Sequence, residues 1–155
     1  MSKAISLDTA AVVTQISKRT IQRRLSDGTI TRQDNDKKGR AMLSFDDVVP
    51  IVCVSVAPED HDLFVEADAG DAEAQNELAL LFLDADKPEI GLHWLKMAAG
   101  QSHSDAMHNL SELYIKGIST PKDNGTGLMW LAKAASVGHI IANQQIMALT
   151  RARKA

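Results

Sequence analysis

Along most of this chain the apolar residues return every third or fourth position, the period of a helix with one buried face. Ala74, Leu78, Leu81 and Phe82 keep that spacing, and Ala106, Leu110, Leu113 and Tyr114 keep it again 32 residues later. Each set is followed by a second apolar segment. These are Gly91-Leu92-His93-Trp94-Leu95-Lys96-Met97-Ala98-Ala99 and Gly127-Leu128-Met129-Trp130-Leu131-Ala132-Lys133-Ala134-Ala135, 36 residues apart, with His103 and His139 at the same offset. The change from 32 to 36 places the difference in the loops between paired helices, residues 84–88 in one copy and 117–124 in the other. A period of this size predicts a stack of helical hairpins, each hiding its apolar face against the next. Ala142, Ile146 and Leu149 stand 36 residues after Ala106, Leu110 and Leu113 and predict a third, truncated copy that closes the stack.

The pattern Ala-x-x-x-Leu-x-x-Leu-Tyr-x-x-Gly, a Pro-containing loop, then Gly-Leu-x-Trp-Leu-x-x-Ala-Ala-x-x-Gly-His resembles the Sel-one-like repeat, a relative of the tetratricopeptide repeat. Residues 104–139 carry it closely. The first copy departs from it, with Ala85 in the place of Gly117, a shorter loop, and Ser102 in the place of Gly138. The resemblance covers about residues 58–150. It implies an α-solenoid that binds other proteins and performs no chemistry.

Before residue 58 the pattern changes. Ser6 predicts a cap on a helix over Leu7–Thr14, with Leu7, Ala10, Ala11 and Val13 inward, and Ser17 a cap on Lys18–Ser26, stopped by Gly28. On that second helix Ile21 and Leu25 define the inner side. Arg23 points away, Arg19 and Thr20 flank it, and Gln22 and Arg24 lie at the margins. Residues 31–43 read as two short arms around a polar, Gly-containing tip, a β-hairpin with Lys37, Lys38 and Arg40 at its end. Ser44-Phe45-Asp46-Asp47 starts a third helix with Val48 and Val49 inward, which Pro50 ends or kinks. The apolar run 51–57 reads as a helix in preference to a strand, and His61–Ala69 as another, stopped at Gly70. With no Gly/Ser linker, the junction is expected to be packed.

This order of elements, with Ala-Ala in the first helix and Ser-x-x-Thr-Ile opening the second, resembles the winged helix-turn-helix of the MerR and excisionase type over residues 4–50. Arg24 departs from it, standing where that family often carries a large apolar residue. The resemblance implies Lys18, Arg19, Gln22 and Arg23 as base- or phosphate-reading positions. Arg suits guanine and Gln suits adenine in a major groove, and a Ser-capped helix start suits phosphate. The full set of expected DNA contacts is Ser17, Lys18, Arg19, Thr20, Gln22 and Arg23, joined by Arg24, Arg32, Lys37, Lys38 and Arg40.

Charge adds to this picture. The net −3 of the 155 residues divides into +5 over residues 1–45, nine basic against four acidic, and −8 over the remainder, eight against sixteen. That asymmetry predicts a cationic module for a polyanion and an anionic stack kept away from it. No apolar run is long enough to span a membrane, and the first residues lack the apolar core of a signal peptide. Cys53 is alone and reads as a buried apolar residue. Among His61, His93, His103, His108 and His139 no pair stands three or four apart on one helix, so no metal site is expected. Neither a nucleophile elbow nor a phosphate loop is present, and no cofactor or catalysis is expected. Trp94 and Trp130 read as core anchors, and the glycines at 91, 125 and 127 as close helix contacts.

The expected architecture is therefore mainly α: a winged helix-turn-helix over residues 1–57, then an α-solenoid of about two and a half hairpin repeats over 58–155. The expected protein is a cytoplasmic, nucleoid-associated bacterial transcriptional regulator that binds double-stranded DNA. Its repeats would bind a protein partner or hold a homodimer. Leu80, Met107, His108, Ser111 and Met147, with Asn76 nearby, are expected on the exposed inner-helix face. The alternative is a protein-interaction adaptor that never meets DNA.

Overall fold

Two serines set the first helices. Ser6 Oγ accepts from the Thr9 N–H at 3.2 Å and opens α1 (Leu7–Thr14), and Ser17 Oγ accepts from the Thr20 N–H at 3.2 Å and opens α2 (Lys18–Ser26). Gln15, at φ 58°, ends the first, and Gly28, at φ 78°, follows the second. In this computed structural model, which describes residues 2–154, the helices pack beside a small antiparallel sheet. Its strands are β1 (Ala4–Ser6), β2 (Arg32–Gln33) and β3 (Met42–Ser44), in the order β1-β3-β2. Leu43 pairs with Ile5 on one side and Arg32 on the other. The β2–β3 pair is the hairpin the polar tip predicts. The strand β1 is not predicted, because three residues are too few to show an alternation.

The next helix, α3 (Phe45–Val48), passes into a 3₁₀ turn over Val49–Ile51, at Pro50. Residues 52–57 then form no helix, which corrects the sequence expectation. Pro50 removes a donor, Val52 is extended (φ −60°, ψ 139°), and the β-branched residues 52, 54 and 56 favour that state. The Cys53 N–H donates to Val13 O at 3.0 Å, which ties the segment to α1, and Cys53 itself is half-buried. A second 3₁₀ turn, Pro58–Asp60, leads into α4 (His61–Ala69). Phe64 of α4 lies against Phe45 with ring centroids 5.2 Å apart, and Ile5, Val13, Ile21 and Leu43 are buried in the same unit.

Contacts group the chain into two units, Met1–Asp71 and Ala72–Ala155. The division lies beyond the 57/58 boundary expected from sequence, since α4 packs on β1. Moving that border also moves the charge. The first unit holds nine basic residues against twelve acidic ones, −3, and the second holds eight of each, 0. The expected sorting of charge by module is therefore wrong. The +5 belongs to residues 1–45 alone, and residues 46–71 bring eight carboxylates and no Lys or Arg into the same unit.

The second unit is α5 (Ala72–Asp84), α6 (Pro88–Gly100), α7 (Ser104–Lys116), α8 (Asn124–Ser136) and α9 (Ile140–Lys154). Here α5 pairs with α6 and α7 with α8. The backbones approach closely at two glycines. A Cβ on Gly91 would lie 2.6 Å from Leu83 Cγ, and one on Gly127 2.5 Å from Ile115 Cγ1 and 3.0 Å from Ser111 O. Gly125, expected to do the same, meets only the Asp123 carboxylate at 3.4 Å. Within the first hairpin the Gln101 amide donates to Gln75 at 2.9 Å, and between hairpins Asn109 donates to Asn76 at 3.1 Å, so the buried Gln75 and Asn76 are satisfied.

The third copy does not close the stack. Ala142 is buried, Ile146 half-buried and Leu149 exposed, because among the described residues no helix stands against α9 as α8 stands against α7. Trp94 is buried as expected, whereas Trp130 is half-buried with Lys133 Nζ 4.6 Å from its ring centroid. The same repeat position thus loses its cover in the last hairpin.

Candidate functional site

The residues expected to contact DNA all lie in the first unit. Ile21 anchors α2 inward, and Arg19, Gln22 and Arg23 are exposed on it. Among the described residues neither arginine has an ion-pair partner. Ser17 and Thr20 are turned toward one another (Oγ to Oγ1 3.0 Å), Lys18 is paired with Asp8 at 2.7 Å, and Arg24 is half-buried. A shallow hollow lined by Ser6, Lys18, Gln22, Arg40 and Ala41 sets the start of α2 beside the hairpin. In the hairpin, Arg32 donates to Asn35 at 2.9 Å and Lys37 is exposed. Lys38 Nζ lies 4.0 Å from where a Cβ on Gly70 would stand, near the carboxyl end of α4, where a helix dipole favours a cation.

Arg40 is the exception among the expected DNA contacts. Its Nε donates to Asp36 at 2.7 Å, and its Nη atoms donate to both Asp68 oxygens at 3.2 Å and to Asp68 O at 3.0 Å. Burial works against its charge, but Asp36 and Asp68 outweigh burial and hold the guanidinium pKa above its ordinary value. Asp36 is held below the usual carboxylate range, first by the Arg40 N–H and then by the Arg40 side chain and the Lys38 N–H. Arg40 is thus a brace inside its unit, and its guanidinium is already engaged.

Asp68 is the residue that sequence reasoning missed. It is nearly fully buried, and it accepts from the Ser6 N–H at 3.1 Å, from Ser6 Oγ–H and Thr9 Oγ1–H at 2.5 Å, and from Arg40. One carboxylate therefore joins β1, α1, the hairpin and α4. The only signal in the sequence was an acid on the inner face of an amphipathic helix, next to Ala67.

In the second unit the expected binding residues separate. Leu80 and Met147 are exposed, and His108 is half-buried, stacked on His139 at 4.5 Å with Nε2 3.0 Å from Gln145. Met107 and Ser111 are buried, which corrects their placement on the exposed face, and so is Asn76. Asn109 reaches Asn76 of α5 and His108 reaches Gln145 of α9 from this side of α7, and Ser111 Oγ–H turns back to His108 O at 2.7 Å. The repeat histidines have a function of their own. His103 Nδ1 accepts from the Ala106 N–H and its Nε2 meets Glu73 at 2.8 Å, while His139 Nδ1 accepts from the Ala142 N–H and its Nε2 meets Asp105 at 3.3 Å. Each caps one helix and links it to the start of the helix one repeat earlier. The acids Glu73 and Asp105, 32 residues apart, were a legible signal for this link.

Among the described residues no cluster of three His, Cys, Asp or Glu could hold a metal ion, and no helix is long and apolar enough to cross a membrane. The Sel1 repeat family matches residues 72–103 and 104–139. The chain is also similar to the crystal structure of a Sel1 repeat protein from Oxalobacter formigenes, 31% identical with a TM-score of 0.52, over 56% of this chain and 68% of that one. None of the curated proteins matches the chain.

Proposed function

Because the chain belongs to the Sel1 repeat family through residues 72–139, we propose that it is a protein-interaction module whose repeats hold a protein partner. One observation carries the reading. Among the described residues the exposed large apolar side chains all lie between Leu80 and Leu149, inside the helical stack. Exposed apolar side chains concentrated in one unit are where an interaction face is expected. A photo-reactive residue placed at Leu80 or Met147 should give a discrete covalent adduct with one protein in cells. The same probe at exposed Lys37, in the other unit, should not give that adduct. Equal labelling from all three positions would reject the reading.

A second reading is favoured by the two unpaired arginines of α2. In it the first unit is a winged helix-turn-helix of the MerR or excisionase type, and α2 lies in the major groove of duplex DNA. Arg19 and Arg23 read bases there, Ser17, Lys18 and Arg24 approach phosphate, and Arg32, Lys37 and Lys38 follow the backbone. The chain then regulates transcription. The unit's net −3 weighs against this and confines any affinity to the local face. Gel shifts on genomic fragments decide. DNA binding requires affinity that falls with salt at a slope near ~−0.9 per phosphate contact, and a loss of ~1–3 kcal/mol in Arg19→Ala or Arg23→Ala. Absence of binding at low salt leaves the adaptor alone.

A further inference from the structure

The open end of the stack has a shape that the preceding repeat defines. Residues 36 apart occupy the same repeat position, and their exposure can be compared: Leu92 9% and Leu128 41%, Leu113 5% and Leu149 47%, Ser111 1% and Met147 48%. What separates each pair is a helix. α8 runs back along α7, with Asp123 N–H donating to Tyr114 O at 2.9 Å and Gly127 pressed on Ser111 and Ile115. At α9 the corresponding groove is empty, about 490 Å³ lined by Ile115, Leu128, Leu131, Ala148 and Leu149.

We propose that this groove seats one amphipathic helix of a partner protein, lying on α9 as α8 lies on α7. The proposal rests on the reading that the repeats bind a protein. The register fixes the helix chemistry. α8 meets its neighbours through Gly127, Leu131 and Ala134, so the docking helix carries a small residue, Leu four positions on and Ala seven on. It runs antiparallel to α9, which brings its first turn beside Arg151, Arg153 and Lys154, and α9 has no acid of its own. Acidic residues in that first turn complete the match, and the two helix dipoles favour the same signs.

A second copy stacked as one more repeat does not fit. Continuation requires an acid to meet the next repeat's histidine, as Glu73 meets His103 and Asp105 meets His139. At that position α9 has Ile141, and the residue that a second copy would bring, 32 before His103, is Asp71. The join would set a carboxylate over an isoleucine.

The probe is a fluorescein-labelled, helix-stapled peptide with an acidic first turn followed by Gly-x-x-x-Leu-x-x-Ala, titrated against the full chain by anisotropy. Saturable binding is expected, weakened about tenfold or more by Leu149→Asp, by Arg151→Glu with Arg153→Glu, and by Gly→Trp in the peptide. Leu149, Arg151 and Arg153 are exposed, and an unchanged tryptophan-detected melt will show the variants folded. No saturable binding, or binding that Leu149→Asp leaves intact, overturns the proposal. So does a dimer of the full chain, seen by light scattering, that Leu149→Asp dissolves, because it assigns the groove to a second copy. If the peptide fails while the adduct at Leu80 persists, the repeats still bind a protein and this groove is not its seat.

Discussion

Gly127→Ala puts one methyl group where α7 and α8 touch. An added Cβ falls 2.5 Å from Ile115 Cγ1 and 3.0 Å from Ser111 O, inside the 3.4 Å at which ordinary contact begins. Ile115 is β-branched and stiff at χ1, and the Ser111 carbonyl is backbone, so neither neighbour gives way without moving the helix. Overpacking of this kind costs ~1–3 kcal/mol, and separating the helices also loosens Leu131 and Ala134, which α8 buries. Against it stands the helix preference for Ala over Gly, worth at most ~1 kcal/mol. The net loss should be about 1–2 kcal/mol, or roughly 4–8 °C per kcal/mol for a unit of this size. Trp94 and Trp130, the chain's two tryptophans, both lie in the repeats, so fluorescence-detected melting reports this unit. Gly125→Ala in the same helix is the control, because its Cβ meets only Asp123 at 3.4 Å, and it should leave the midpoint unchanged or raise it. If Gly127→Ala melts at or above the parent temperature, the helices are not held as closely as the geometry requires and the packing argument fails.

Asp68→Ala leaves two hydroxyls, an N–H and the Arg40 guanidinium without their shared acceptor, and should cost about 3–5 kcal/mol. Amide exchange at β1 and α1 measures it, and protection equal to the parent's would mean the carboxylate is not the joint of that unit. Asp123 caps α8 through the Thr126 N–H at 3.0 Å, and hydrogen bonds from the Thr126 side chain and then its backbone hold its carboxyl below the ordinary value. A depressed folded pKa means stability present above the unfolded pKa and lost as pH falls through the folded one. Asp123→Asn keeps the cap without titrating, so the acid-side decline of the tryptophan-detected melt should flatten, and an unchanged decline would remove Asp123 from it. In the DNA reading, Arg40→Ala should lower the stability of the first unit more than its affinity for duplex; the reverse order would return Arg40 to the basic face.

The local chemistry of this fold was legible because it is written in short windows. Ser6 and Ser17 as caps, Gly28 as a stop, and the fixed offset of His103 and His139 each act within a few residues or at one repeated distance. Where sequence reasoning failed, the deciding partner lay far along the chain. Arg40 looked free at a hairpin tip until Asp68 came to it from α4, 28 residues on. The charge balance failed for the same reason, since α4 carries its acids into the unit that begins with basic residues. Met107 and Ser111 were placed outward by the helical step alone, which gives a direction and does not say which neighbour occupies it. Residues 51–57 are apolar enough for either helix or strand, and in the structure Ile51 ends the 3₁₀ turn at Pro50 while residues 52–57 form neither.

Hydrogen exchange over the whole chain, with and without the protein captured from Leu80 or Met147, separates the two units. Slowed exchange confined to α5–α9 is what an interaction module built on these repeats gives. Protection confined to residues 2–71, with the helices unchanged, would place the partner on the other unit and contradict it.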